Sequence, residues 1–185
     1  MKSESFFKQI YINFLIFGSR IVRKLKYYSL KIRGYSRISS KSVLEHGVGF
    51  DKVNPKGIII KERAKVASGT ILLSHEDVLV NKDSTIVIDE GAYVGVGCII
   101  LPGAVVGRES IIGSGSVVRN IIPPYSIVIG NPAKIVGFRF NPEEIIEHEK
   151  NLYPEDKRLP MDVLEKNFNK FFINRIKEIK EYTRL

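Results

Sequence analysis

Aliphatic residues recur at every sixth position through the middle of this chain. Written in sixes from residue 88, the sequence reads IDEGAY, VGVGCI, ILPGAV, VGRESI, IGSGSV, VRNIIP. The first column holds Ile88, Val94, Ile100, Val106, Ile112 and Val118, and the fifth holds Ala92, Cys98, Ala104, Ser110 and Ser116 before ending on Ile122. The same phase runs upstream, with Ile60, Val66 and Leu72 in the first column and Ala64 and Thr70 in the fifth. Val78 is in phase, yet the next first-column residue is Ile88, which predicts a four-residue insertion within 78–87, just after His75.

Such a period predicts a coil. Each unit is a short strand followed by a turn, and its branched aliphatic points inward and stacks on its counterparts in neighbouring coils. Small fifth-column residues fit tight interior positions, and glycine helps the chain turn. Neighbouring coils pair as parallel strands around a column of Ile and Val. Cys98 falls in the small column and reads as a buried hydrophobe.

Outside this block the pattern changes. Residues 35–59 contain short strand-like pieces (YSRIS, VGF, GIII) suited to an earlier, less regular coil. After Phe140 the signals are helical. Asn141 can cap, Pro142 suits the first turn, and Glu143 and Glu144 favour the positive end of a helix dipole. A second helix is predicted from Met161 to Tyr182, with an apolar stripe that includes Leu164, Phe168, Phe172 and Ile176. At the other end, Phe6, Ile10, Phe14, Phe17 and Ile21 recur at helical spacing. The organisation expected is therefore an N-terminal helical arm over 1–34, a coil domain over 35–140 and a C-terminal helical tail over 141–185.

The repeat, together with the run SIIGSGSVVRNIIPPYSIVIGNPAKI from Ser110, resembles the hexapeptide-repeat acyltransferases. That resemblance implies a mainly β fold, a left-handed parallel β-helix with three hexapeptides per coil, and a homotrimer. Indexed three to a coil with 78 counted as an enlarged unit, the hexads at 72, 94 and 112 share one face. His75 is then expected on one edge with Gly97 and Gly115, next to Val96 and Ser114. His75 sits in LLSHED, similar to the family's aliphatic–Ser/Thr–His–acidic pattern, and the resemblance makes it the general base. A histidine suits that task near neutral pH, because an acceptor hydroxyl attacks poorly until a base removes its proton. Glu76 or Asp77 is a candidate to hold the imidazole in its working tautomer. The 96–97 turn is expected to offer a backbone N–H to the carbonyl oxygen as it gains charge.

The implied co-substrate is acetyl-coenzyme A, in a groove between two subunits. By motif position Val96, Gly97 and Ser114 would line its pantetheine arm. Arg119 and Asn120 match a pair often occupied by Thr-Lys, here with the positive charge one residue earlier. Lys134, in GNPAK, matches a basic position near the nucleotide end. The acceptor implied is a carbohydrate, a sugar hydroxyl of a surface polysaccharide. Serine or an antibiotic as acceptor, N-acetylation of an amino sugar, and a non-catalytic β-helix scaffold are the alternatives.

Composition narrows the remaining classes. Of 185 residues, 44% are hydrophobic and 26% charged, which fits a globular domain. One cysteine excludes a disulfide framework, and three scattered histidines (His46, His75, His148) lack metal-site spacing, so no metal is expected. His46 has no assigned role and His148 reads as a helix-surface residue. The net charge is +9, of which residues 1–35 carry +7: eight Lys or Arg against Glu4. The apolar run FFKQIYINFLIF would span roughly 18 Å as a helix, short of a ~30 Å hydrocarbon core, and no small-residue cleavage site follows it. A cytoplasmic protein is expected, its arm packing on the protein or lying against the inner face of a membrane through anionic lipid. No nucleic-acid motif is present, and nucleic acid is not expected as a partner.

Overall fold

The computed structural model describes residues 24–76 and 82–167, with residues 22 and 169. Parallel strands of two to four residues stack into three faces of a left-handed β-helix. The first face stacks Val43–Leu44, Lys65–Val66, Tyr93–Val94, Ile111–Ile112 and Ser126–Ile129. The second stacks Gly49–Phe50, Ile71–Leu72, Ile99–Ile100 and Val117–Val118. The third stacks Ile58–Ile60, Ile86–Ile88, Val105–Val106 and Ile121–Ile122, and Ile38 bridges to Ile60 at its start. The chain passes from third to first to second face in each coil.

The period-six aliphatics are the inward rungs. Val66, Val94 and Ile112 stack on one face, Leu72, Ile100 and Val118 on the next, and Ile60, Ile88 and Val106 on the third, all essentially without solvent exposure. Each such side chain contributes roughly 1.5–3 kcal/mol by burial, so the column is the main favourable term in folding. The small fifth-column residues are buried too, and their hydroxyls are satisfied. Thr70 Oγ1 donates to Gly95 O (2.8 Å), Ser110 Oγ to Pro123 O (2.8 Å) and Ser116 Oγ to Gly113 O (2.6 Å). Cys98 is buried as expected, and burial raises its thiol pKa, which keeps it protonated.

The strand register corrects the predicted indexing. Leu72 pairs with Ile100, and Val66 with Val94. The hexads at 72, 94 and 112 therefore do not share a face. The chain runs sixteen residues from the Leu72 rung to the Ile88 rung where six suffice, so the excursion carries ten extra residues, not four. It opens with an antiparallel pair, His75–Glu76 against Lys82–Asp83. Val78 lies outside the described residues. The less regular first coil is present, with Leu44 and Phe50 as rungs. A 3-10 turn, Pro55–Gly57, capped by the Asn54 side chain, lengthens its last side.

Both ends of the coil are covered. A helix over 24–32 lays Tyr27 and Leu30 on the first coil, where Tyr27 Oη donates to Ser42 O (2.6 Å) and Lys26 Nζ to Leu44 O (2.7 Å). This part of the arm packs on the body; Phe6 to Ile21 lie outside the described residues. At the far end the chain reverses, and Lys134–Phe138 pairs antiparallel with Ser126–Ile129. Helix Pro142–Leu152 then begins with the predicted cap: Asn141 Oδ1 accepts from Glu144 N (2.8 Å) and Glu144 Oε2 from Asn141 N (2.9 Å). Residues 161–167 are helical with Leu164 buried, while Phe168, Phe172 and Ile176 of the predicted stripe lie outside the description. No helix among the described residues is long and apolar enough to cross a membrane.

Candidate active site

The three corners of the prism carry different chemistry. The first-to-second corner is a column of glycines, Gly47, Gly69, Gly97 and Gly115, each with φ between 65° and 73°. A methyl group built on Gly69, Gly97 or Gly115 meets nothing within 4 Å, so the corner is bare backbone facing open space. At about 4.8 Å per coil the four glycines span roughly 14 Å, the length of a thin extended ligand. Val96 stands exposed beside this column, Ser114 lies in its turn, and Lys134 stands at its top, paired with Ile129.

The third-to-first corner is filled. Arg63, Glu109 and Tyr125 occupy left-handed positions there (φ 57–61°) with Gly91 among them. Buried Glu109 accepts from Arg63 NH1 (3.0 Å), Tyr153 Oη (3.0 Å) and Arg139 NH1 (2.7 Å). Buried Glu149 accepts from Arg108 NH1 (3.0 Å) and from the Tyr125 hydroxyl. Burial, and then the Glu149 carboxylate, push the Tyr125 phenol far above its usual pKa. These contacts fasten the C-terminal helix to the coil. His148, expected on the helix surface, is half-buried in the same assembly, its ring 5.8 Å from that of Tyr125 and 5.0 Å from that of Phe140. A cavity of about 620 Å³ beneath this helix contains Arg63 and Arg139, both paired with Glu109.

The second-to-third corner carries His75, at the root of the ten-residue excursion. Its Nδ1 pairs with the Asp51 carboxylate. Asp51 ends the second face one coil below, with its side chain 1% exposed against 22% for His75. The carboxylate also accepts from Ser74 N (2.8 Å) and Val53 N (2.9 Å), with Ser74 Oγ 3.2 Å away. Burial alone would raise its pKa. The hydrogen bonds from His75, Ser74 and Val53 outweigh burial and hold it at about 2, so Asp51 stays ionised. Around the pair, Ser74 Oγ donates to Asn54 O (2.6 Å), Asn54 Nδ2 to Ser74 O (2.9 Å) and Tyr35 Oη to Asp51 O (2.9 Å). The result is a rigid mount. An ionised acceptor at Nδ1 fixes the tautomer, leaving Nε2 as the basic nitrogen.

Asp51, which the sequence reading did not single out, therefore holds the histidine at Nδ1. Glu76 is exposed, and Asp77 lies outside the described residues. The signal for Asp51 was its phase: as the residue after the Phe50 rung it lies beneath Leu73, two residues from His75. The remaining candidates split between two corners. Val96, Gly97, Ser114 and Lys134 follow the glycine corner. Arg119 and Asn120 follow the Val118 rung and lie above His75 on its corner. The predicted edge joining His75 to Gly97 and Gly115 is not formed within one chain. Six residues separate these corners in each coil, roughly 15–20 Å of extended backbone. The N–H groups of the 96–97 turn are also engaged, Val96 N with Ser114 Oγ (3.2 Å) and Gly97 N with Ser68 O (3.0 Å). The oxyanion role expected of that turn is not available in this arrangement.

Comparison with known proteins fits this architecture. Residues 85–120 match the model of the bacterial transferase hexapeptide (six repeats). A serine acetyltransferase of Buchnera aphidicola subsp. Schizaphis graminum is 29% identical over 131 residues, covering 71% of this chain and 47% of that protein. A dTDP-3-amino-3,6-dideoxy-alpha-D-galactopyranose 3-N-acetyltransferase of Aneurinibacillus thermoaerophilus is 38% identical over 52 residues, covering 28% and 27%. The chain thus spans between about a quarter and a half of the curated relatives it matches. A crystal structure of a variant of AntD, an N-acyltransferase from Bacillus cereus in complex with dTDP and coenzyme A, aligns with a TM-score of 0.51 at 21% identity, over 62% of this chain and 67% of that one. That last likeness is one of fold.

Proposed function

We propose that this hexapeptide-repeat chain is an acetyl-coenzyme A-dependent acyltransferase acting on a sugar hydroxyl, with His75 as general base. The observation that carries the reading is the His75–Asp51 pair, mounted at one corner of a coil whose next corner is bare glycine backbone. His75 Nε2 takes the proton of the acceptor hydroxyl as its oxygen attacks the thioester carbonyl. The C–S bond then breaks, and the imidazolium returns the proton to the leaving thiolate. Asp51 faces the ring throughout and stabilises the transient positive charge. No covalent enzyme intermediate is needed.

Because the base and the glycine corner stand on different edges, a complete site requires two copies, the histidine corner of one subunit facing the glycine corner of the next. The second face between them supports association, since Ile71, Ile99 and Val117 point outward from it with little polar relief. A cyclic trimer closes this arrangement. The pantetheine arm would then follow Val96, Gly97 and Ser114. Lys134 stands at the end of that column, and Arg119 and Asn120 would approach from the histidine side.

A polysaccharide acceptor carried at the inner face of a membrane suits the arm. Val22, just ahead of the helix over 24–32, and Leu25, Tyr28 and Ile32 on it are 63–71% exposed, within a segment of net charge +7. Flotation with phosphatidylglycerol vesicles should recover the protein, and Leu25→Glu with Ile32→Glu should abolish recovery; equal recovery of both proteins refutes membrane contact. Serine is the second reading of the acceptor, favoured by the longer match to a serine acetyltransferase. Thiol release from acetyl-coenzyme A, measured with sugars and with serine, separates the two. His75→Ala should lower kcat by about 100-fold or more, the usual size of general-base catalysis, and undiminished turnover would refute the assignment.

A further inference from the structure

The helix over 24–32 does not lie flush on the first coil. A groove of about 440 Å³ runs between them, with Lys26 and Arg33 on the helix side and His46 and Lys52 on the coil side. Its floor is low because Gly47 and Gly49 contribute no side chains. Among the described residues, none of Lys26, Arg33 or Lys52 forms a salt bridge, whereas Lys61, Arg63, Arg108 and Arg139 all do. One carboxylate lines the groove, Glu45, and it accepts from Ser68 N (3.0 Å) and Ser68 Oγ (2.9 Å). Lys26 Nζ is held against two backbone carbonyls, Leu44 O (2.7 Å) and Glu45 O (3.1 Å), and its partial burial lowers its pKa. Three cations thus converge on one concave surface against a single carboxylate, leaving an excess of positive charge.

The location gives this charge a use. Gly47, at one end of the groove, is the lowest residue of the bare glycine corner. Phe50 and Lys52, at the other end, flank Asp51, the carboxylate that holds His75. We propose that this groove is an acceptor subsite that binds a phosphate or diphosphate group, so that the sugar to be acylated is presented as a glycosyl phosphate. The proposal rests on the acyltransferase reading for the word acceptor, but the anion site itself does not depend on turnover. Guanidinium and ammonium groups suit phosphate oxygens through charge-assisted hydrogen bonds. The phosphate could belong to a nucleoside diphosphate sugar or to a lipid-linked glycosyl diphosphate; the groove recognises what the two share.

Titration calorimetry on the full chain tests the assignment with inorganic pyrophosphate, dTDP and farnesyl diphosphate as probes. The proteins are wild type, Arg33→Ala with Lys52→Ala, and Arg119→Ala with Lys134→Ala. Arg33 and Lys52 are exposed, so an unchanged thermal midpoint certifies the fold of the first variant. Loss of two charged donors should weaken pyrophosphate binding by about 100-fold or more. The second variant should bind pyrophosphate as wild type does. Absence of pyrophosphate binding by wild type, or a loss confined to the Arg119/Lys134 variant, overturns the proposal, the latter placing the anion at the donor's nucleotide end. Tighter binding of dTDP assigns a nucleotide-linked acceptor and tighter binding of farnesyl diphosphate a lipid-linked one; both support the site. Coenzyme A binding and thiol release by wild type are measured alongside. If these fail while pyrophosphate binds, the anion site stands and the acyltransferase reading falls; if they succeed while pyrophosphate fails, the reverse holds.

Discussion

Replacing Asp51 with Asn separates what the carboxylate does for stability from what it does for the histidine. The side chain is almost completely buried and nearly isosteric with Asn, so packing is preserved. Its charge is not. A pKa lowered from an ordinary 3.8 to about 2 corresponds to about 2 kcal/mol of stability in the ionised state. Because the folded value is the lower one, that stabilisation is complete above about pH 4 and disappears as pH falls towards 2. Asp51→Asn should therefore lose about 2 kcal/mol at pH 7, read as a shift in the urea midpoint, and the gap to wild type should narrow on acidification. The effect on activity should be larger. Oδ2 accepts from Ser74 N and faces His75 Nδ1, and an amide cannot accept from both while keeping its NH2 satisfied. An NH2 turned to the ring makes Nδ1 the acceptor and places the proton on Nε2, the nitrogen needed as base. A fall in kcat of about 100-fold or more, with the KM for acetyl-coenzyme A little changed, is the expected result in a thiol-release assay. Activity within a few-fold of wild type, measured at a temperature where the variant is fully folded, would refute the positioning role.

Two further tests address the corners. Gly97→Ala introduces no clash but forces alanine into a left-handed conformation at φ 65°, which should cost about 1 kcal/mol and raise the KM for acetyl-coenzyme A through the new methyl group; Gly91→Ala places its Cβ 1.9 Å from Glu109 Oε1 and should destabilise far more, as thermal midpoints will show. Mixed trimers assembled from His75→Ala and Gly97→Trp subunits should regain about a quarter of wild-type activity at equal mixing, since each shared site then has one chance in four of receiving both intact corners; two inactive parents that stay inactive when co-assembled would refute a site shared between subunits.

The repeat and its interior were readable from the chain because burial acts on each rung independently. An inward position tolerates only an aliphatic, and a tight one only a small residue, so the columns survive in the sequence. Which rungs stack was not readable. Period counts residues along the chain, whereas pairing depends on how many residues loop out. Val78 is aliphatic and falls in phase, so it passed for a rung and made the excursion after Leu72 look six residues shorter than it is. That single miscount moved His75 to the wrong corner. Asp51 escaped for a related reason: the Pro55–Gly57 turn stretches the step from Phe50 to Ile60, and the period fades where the first coil begins. The Asn141 cap of helix Pro142–Leu152 was legible because its determinants are local, and the structure adds the reciprocal bond from Glu144.

The way each corner is filled explains why the chemistry sits where it does. The first-to-second corner, and the third-to-first corner from Arg63 onward, ask for a left-handed residue, and glycine meets that demand without strain. Arg63, Glu109 and Tyr125 accept about 1 kcal/mol of strain each at the third-to-first corner. Their side chains offset it through the buried network that fastens the C-terminal helix. That corner is thereby closed to ligands. The first-to-second corner keeps glycine in every coil from Gly47 to Gly115 and gains no such network, so its backbone stays open to a thin ligand. The second-to-third corner admits ten extra residues, which carry His75 out of the rung pattern while Asp51 and Ser74 keep its ring anchored to the coil. On the proposed reading, stability, binding and proton transfer fall to separate edges of one prism. A neighbouring copy, turned so that a histidine edge meets a glycine edge, is on that reading needed to bring the last two together.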